Sequence, residues 1–166
     1  VDPLDIVDEY GADTLRTYVL FMGDYGAAAP WNPSSVKGCK RFLDRVAGLT
    51  DMIVDGEVTK ELETKFHKAI KKVSADIEET KFNTAIACLM GLINDIYAVG
   101  HVTKAEVGTF VKLLSPFAPH LAEEIWEFLG NDTLLAISSW PVYDEAKTVD
   151  DTVEIGVQIK GKVKAV

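Results

Sequence analysis

Cys39 and Cys88 are the only cysteines in the chain. They form no C-x-x-C pair and no disulfide framework, and such sparing use fits a reducing, cytoplasmic compartment. Histidine is also scarce: His67, His101 and His120 are the full set. None lies in H-E-x-x-H, and none has a cysteine or carboxylate partner at metal-ligand spacing, so no metal site is expected. The nearest approach to a di-iron bundle motif, His120-x-x-Glu123, is reversed and single. The chain lacks G-x-S-x-G, the phosphate-binding G-x-x-x-x-G-K-[ST] and G-x-G-x-x-G, so no catalytic residue is assigned. No apolar run of membrane-spanning length and no basic-then-apolar leader is read, which predicts a soluble chain with no membrane partner.

What is present is a globular composition. The 166 residues are 48% hydrophobic and 9% aromatic, enough to bury a core and exclude disorder. A net charge of −9 argues at first against nucleic acid, and no DNA partner is expected. That charge is uneven, however. Ser34–Lys81 holds 10 basic against 9 acidic residues, and the remainder 7 against 17. A polyanion would therefore prefer the first stretch.

Hydrophobic periodicity divides the chain into helices. Asp2-Pro3 reads as an opening turn, Leu4–Glu9 as a helical turn and Gly11–Met22 as a helix with an apolar stripe of Leu15, Tyr18, Val19 and Phe21. "GDYGAAAPWNP" (Gly23–Pro33) reads as a linker. Ser34 or Ser35 can cap a helix running to about Val54, with Val36, Cys39, Phe42, Leu43, Val46, Leu49 and Ile53 on its apolar face. A second long helix covers about Thr59–Glu79. A third, about Asn83–Val99, is apolar nearly all round and is predicted to be the buried central helix. Thr103–Leu114 and His120–Leu129 follow, with Pro119 at the first position of the latter. Beyond Gly130 the chain turns loop-like. Val153, Ile155, Val157 and Ile159 then alternate with polar residues as a strand, which Lys160-Gly161 can turn back into "KVKAV". The predicted fold is an all-α bundle of about five main helices with a short C-terminal β-hairpin. Both ends look cut, as in a piece excised from a longer chain.

The polar residues that stand out are two basic rows. Lys37, Lys40, Arg41 and Arg45 share one face of the first long helix, interrupted by Asp44. Lys65, Lys68 and Lys72 line a face of the second, with Lys71 and Lys81 beside it. Such rows suit a phosphate backbone, where position matters more than base identity. The plainer reading is a solvated helix surface. Asp13 and Arg16, one turn apart, read as a structural ion pair. Trp126 reads as core, and Trp140-Pro141 as the anchor that pins the exit loop to the bundle. Glu123 and Glu124 point about 100° apart and read as a solvated face.

Several of these stretches resemble a known family. "VDPLDIVDEYGADTLRTYVLF" resembles the segment after the lysine-containing signature loop of class I aminoacyl-tRNA synthetases. "WNPSSVKGCKRFLDRV" (Trp31–Val46) resembles the start of the helical anticodon-binding domain of bacterial leucyl-tRNA synthetases. "KFNTAIACLMGLIND", "LLSPFAPHLAEEIWEFLG" and "VQIKGKVKAV" continue the likeness in order over essentially the whole chain. Isoleucyl and valyl synthetases share the YGAD element and a comparable bundle, while Gly38…Arg41-Phe42-Leu43 and the tail resemble the leucyl branch. The tail has Lys164 where that family commonly has arginine, which keeps charge but loses the bidentate fork.

The resemblance implies three parts. Residues 1–30 would be a remnant of the catalytic, stem-contact region, 31–130 the α-helical anticodon-binding domain, and 131–166 an exit loop and truncated β segment. It implies a role in positioning tRNA(Leu) for ATP-dependent leucylation. The ATP (with Mg) and the chemistry belong to catalytic, editing and C-terminal domains of the same parent chain, so this piece alone is expected to be inactive and to hold no cofactor. It raises the basic rows as RNA contacts, although the family motif fixes only Arg41 among them. Two rival readings use the same residues. A helical protein-interaction module would rest on the acidic remainder of the surface, and a standalone enzyme on Glu123, Glu124 and His120.

Overall fold

The computed structural model describes residues 2–23, 30–149, 157–159 and 162–165. Among them are seven α-helices: α1 (Pro3–Tyr10), α2 (Ala12–Phe21), α3 (Pro33–Ala47), α4 (Lys60–Glu78), α5 (Phe82–Val99), α6 (Lys104–Leu114) and α7 (Pro119–Phe128). Short 3₁₀ turns lie at Gly48–Met52, Leu135–Ile137 and Glu145–Thr148. Two-residue strands β1 (Ile53–Val54) and β2 (Val102–Thr103) pair in parallel. An antiparallel hairpin of β3 (Val157–Ile159) and β4 (Lys162–Ala165) completes the described chain, with Ile159 opposite Lys162 and Gln158 opposite Val163. The expected turn at Lys160-Gly161 and strand positions Val153 and Ile155 lie outside the described residues.

The helical hairpin of α4 and α5 is the main packing unit. Leu62, Phe66, Ile70 and Val73 meet Ile86, Leu89, Ile93 and Ile96, and α6 closes the core with Val107, Phe110, Val111 and Leu114. Each such side chain contributes about 1.5–3 kcal/mol of burial. A second cluster joins α2 to α3. Tyr18, Val36 and Cys39 are buried there with Trp31 and Met90 against them, and the Tyr18 and Trp31 rings meet edge to face at 4.8 Å.

Several sequence expectations are corrected by this packing. Helix α3 ends at Ala47 rather than Val54, and its cap is Asn32, whose side chain accepts from Ser34 N at 3.0 Å, with Pro33 at the first helical position. Trp31–Pro33 are therefore not linker: Asn32 N also donates to the Tyr18 hydroxyl at 2.9 Å. The helix stops where Gly48 comes under Tyr97, whose hydroxyl lies 2.8 Å from the position a Cβ would take. Of the stripe read from sequence, helix α2 buries Tyr18 fully and Leu15 and Phe21 only in part. Its buried positions are Asp13, Thr14, Thr17 and Tyr18, while Val19 is exposed.

Helix α5 is not buried all round either. Ala87, Gly91, Asn94 and Ala98 form an open strip along it. By length and composition α5 is apolar enough to cross a membrane, which corrects the reading that no run reaches that length. Here it packs against α2, α3, α4 and α6.

Candidate nucleic-acid interface

The expected Asp13–Arg16 ion pair is replaced by longer-range contacts. Asp13 Oδ1 lies 2.8 Å from His120 Nδ1, and Oδ2 accepts from Leu121 N at 2.7 Å. Arg16 donates to the Pro116 carbonyl at 3.1 Å. Both residues therefore grip the α6–α7 turn "SPFAPH". Ala118, the N-cap of α7, has no side chain that can cap, and Asp13 supplies the missing acceptor from another helix. Glu106 makes a similar bridge. It closes a capping box with Thr103 and also accepts from Thr59 N at 2.7 Å and Thr59 Oγ1 at 2.8 Å, so one buried carboxylate starts both α4 and α6. The T-x-x-E spacing of Thr103–Glu106 was the sequence signal for half of it.

Helix α5 packs against both α3 and α4 and meets a cation from each basic row, while Lys40 of the first row lines the cleft between α2, α3 and α7. Arg45 reaches across to α5, donating to Asn94 Oδ1 at 2.6 Å with its guanidinium 4.4 Å from the centre of the Tyr97 ring. From the other side, Lys65 of α4 pairs with Asp95 of α5 at 2.7 Å. A groove of about 390 Å³ runs between α4 and α5, lined by Lys65, Lys68, Lys72, Cys88, Gly91 and Asp95. The small residues of α5 thus form a floor between cations of α3 and α4. The rows are not uniformly free. Lys40 pairs with Asp44 and Lys72 with Asp76. Among the described residues, Lys37 and Arg41 meet no carboxylate, and both are exposed.

The remaining candidates are held elsewhere. Trp126 is half-buried and packs against the edge of the core, with its Nε1–H donating to Thr133 O at 2.9 Å. Trp140 Nε1 donates to Ser74 Oγ at 2.8 Å, on a stripe of α4 that also receives Asp144 N at His67 Nδ1 (3.0 Å) and pairs Lys71 with Glu145 and Glu63 with Lys147. The last two pairs hold both lysines above their usual pKa. Glu123 is turned to the 3₁₀ turn after α7, accepting from Leu135 N and Ala136 N. It shares a cavity beside the 130–134 loop with Glu124 but not with His120, which lines a cleft between α2, α3 and α7, so the three groups do not meet in one site. Burial pushes the Cys39 thiol up to about 11 and raises that of Cys88.

Residues 59–166 match the family described as the anticodon-binding domain of tRNA ligase. The chain belongs to that family. Over 165 residues this anticodon-binding domain is 54% identical to a leucine–tRNA ligase of Alkaliphilus oremlandii (strain OhILAs), covering 99% of the present chain and 21% of that protein. It is 44% identical over 170 residues to the leucine–tRNA ligase of Bdellovibrio bacteriovorus, with the same two coverages. The domain thus spans about a fifth of the length of the curated relatives it matches. Its fold superposes with a TM-score of 0.81 on a crystal structure of a ternary complex of Agrobacterium radiobacter K84 agnB2 LeuRS with tRNA and LeuAMS. The two are 32% identical, and the match covers 99% of this chain and 24% of that one.

Proposed function

We propose that this domain holds tRNA(Leu) for a leucine–tRNA ligase, in which separate catalytic, editing and C-terminal domains use ATP to join leucine to the tRNA. The observation that carries the reading is the 54% identity maintained over nearly all of the chain to a leucine–tRNA ligase. A cytoplasmic location and a division at about residues 30 and 130 accompany it. The contact surface is the α3–α5–α4 face, with Lys37, Arg41, Arg45, Lys65, Lys68 and Lys72 as its cations; Lys40, which lines the cleft between α2, α3 and α7, is left out of it. Rows of lysine and arginine over a flat floor suit the backbone and shape of an RNA more than splayed-out bases. The one aromatic ring there, Tyr97, is already covered by Arg45 and donates its hydroxyl to Arg45 O at 2.9 Å. An isoleucyl or valyl parent is the alternative.

A domain exchange tests the assignment. The present chain is substituted for the matching fifth of the Alkaliphilus ligase, and charging of leucine tRNA is measured. Retained leucylation supports the reading. Loss of leucylation in a folded chimera would contradict it, provided that the reverse exchange into an isoleucyl enzyme is active.

A further inference from the structure

On the α3–α5–α4 face, Lys65 and Lys72 each hold a carboxylate, Asp95 and Asp76. Arg45 is held differently. Its Nη1 donates to Asn94 Oδ1 at 2.6 Å, and its Cζ lies 4.4 Å from the centre of the Tyr97 ring, both neutral groups of α5. Asp44 and Asp95, the sequence neighbours of Arg45 and Asn94, pair with Lys40 and Lys65 instead. We infer that Asn94 and Tyr97 are positioning residues, which fix the Arg45 guanidinium as an uncompensated fork for one phosphate of an RNA backbone. This rests on the reading of the face as an RNA surface and adds what orients one of its cations.

A neutral partner orients a cation without cancelling its charge. A lysine paired with a carboxylate has to give up that pair before it meets a phosphate, so part of the gain is lost. An amide oxygen and a ring face impose no such exchange, because both attract the guanidinium and leave its net charge unchanged. Among the described residues Arg45 pairs with no carboxylate.

The edge of the guanidinium that suits a phosphate is left open. Of its five N–H groups, Asn94 takes one, on Nη1. The Nε–H and one Nη2–H point the same way along another edge and match two oxygens of one phosphate. Neither has a protein partner among the described residues, and the Arg45–Asn94 bond lies at the exposed surface.

Tyr97 grips the same residue a second time. Its hydroxyl donates to Arg45 O at 2.9 Å, one of the last four carbonyls of α3, which a helix cannot satisfy from within. Gly48 admits that arrangement, because a Cβ there would stand 2.8 Å from the hydroxyl. Carbonyl, ring and amide together hold a side chain that would otherwise search its rotamers on an open helix surface. Ordering a free arginine at an interface lowers affinity, and a guanidinium already in place avoids about two- to tenfold of that loss.

The first test needs no RNA. In ¹⁵N relaxation of the free chain, the Arg45 Nε–Hε group should be nearly as ordered as the backbone, and Asn94→Ala or Tyr97→Leu should release it. The second is binding of leucine tRNA over a salt series. Arg45→Gln should make the slope shallower by about one unit. Asn94→Ala and Tyr97→Leu should weaken binding by about two- to tenfold at unchanged slope, since the number of phosphates met stays the same. In the Arg45→Gln background neither should weaken it further, and Tyr97→Phe, which keeps the ring, should lose less than Tyr97→Leu. Asn94 is exposed and alanine suits a helix, so Asn94→Ala keeps the fold, which an unchanged urea midpoint checks. A mobile Arg45 in the wild-type chain overturns the proposal. So does an Asn94→Ala variant that binds as well as or better than wild type, where the amide would be idle or a competitor of the phosphate. A loss in Asn94→Ala that persists without Arg45 also overturns it, since Asn94 would then act on its own. Binding that responds to Lys37→Glu/Arg41→Glu but not to Arg45→Gln overturns the proposal and leaves the RNA face standing. No binding by the wild-type chain at low salt removes that face and the proposal with it.

Discussion

Replacing Asp13 by alanine removes the carboxylate that closes the first turn of α7. Both of its oxygens are in use, at 2.8 Å from His120 Nδ1 and 2.7 Å from Leu121 N, and the residue is 9% exposed. Water is a poor substitute at that depth, and Ala118 cannot take over the cap. Loss of an N-cap costs about 1 kcal/mol, and loss of a hydrogen bond to a charged group about 1.5–3 kcal/mol. Since the two terms describe overlapping interactions, the expected destabilisation is about 2–3 kcal/mol. Urea unfolding followed by circular dichroism reads it as a lower midpoint with an unchanged slope. In a thermal scan the same loss is a fall of about 4–12 °C for a domain of this size. Asp13→Asn keeps one acceptor and should recover about half. His120→Ala separates the cap from the imidazole contact. That side chain is 76% exposed, and its removal should cost no more than about 1 kcal/mol. The reasoning fails if Asp13→Ala changes stability by less than about 0.5 kcal/mol, the range of ordinary surface substitutions.

Glu106→Gln should destabilise by about 2–3 kcal/mol in the same assay, because its new amide must face either Thr59 N or Thr103 N, donor against donor. Gly48→Ala drives a methyl against the Tyr97 hydroxyl and breaks its bond to Arg45 O; a loss of about 1–2 kcal/mol is expected from urea unfolding, although the backbone there suits alanine. Alkylation followed by mass spectrometry should label half-buried Cys88 first. Cys39 labelling should stay slow at pH 8 and rise with pH toward about 11, since burial disfavours its thiolate. Equal labelling of the two cysteines at pH 8 would contradict the packing around Tyr18 and Val36.

Much of the fold was legible because the helices are strongly periodic. Lys60–Glu78, Phe82–Val99, Lys104–Leu114 and Pro119–Phe128 lie within a residue of the reading from pattern and caps. The errors came where a partner distant in sequence decided the outcome. Asp13 and Arg16 match an i, i+3 pair locally, yet each bonds a turn about a hundred residues away. Ile53 continues the period of α3, but it leaves the helix to pair with Val102. In α5, composition alone could not distinguish a helix sealed on every side from one whose smallest residues face out. The basic rows were visible in the spacing of α3 and α4. What periodicity could not show is that α5 lies between them, or that Asp95 from that helix occupies Lys65.

The central claim is that this domain holds RNA on the α3–α5–α4 face, and a salt series of leucine tRNA binding tests it most directly. The wild-type chain is compared with Lys37→Glu/Arg41→Glu, which changes two exposed cations of α3 that hold no carboxylate. Arg45→Gln is a second comparison, because Arg45 is committed to Asn94 and Tyr97. The account predicts affinity that falls with salt, a slope shallower by about two units in the double variant, and a smaller change in Arg45→Gln. Binding by the double variant with the wild-type affinity and slope would contradict it.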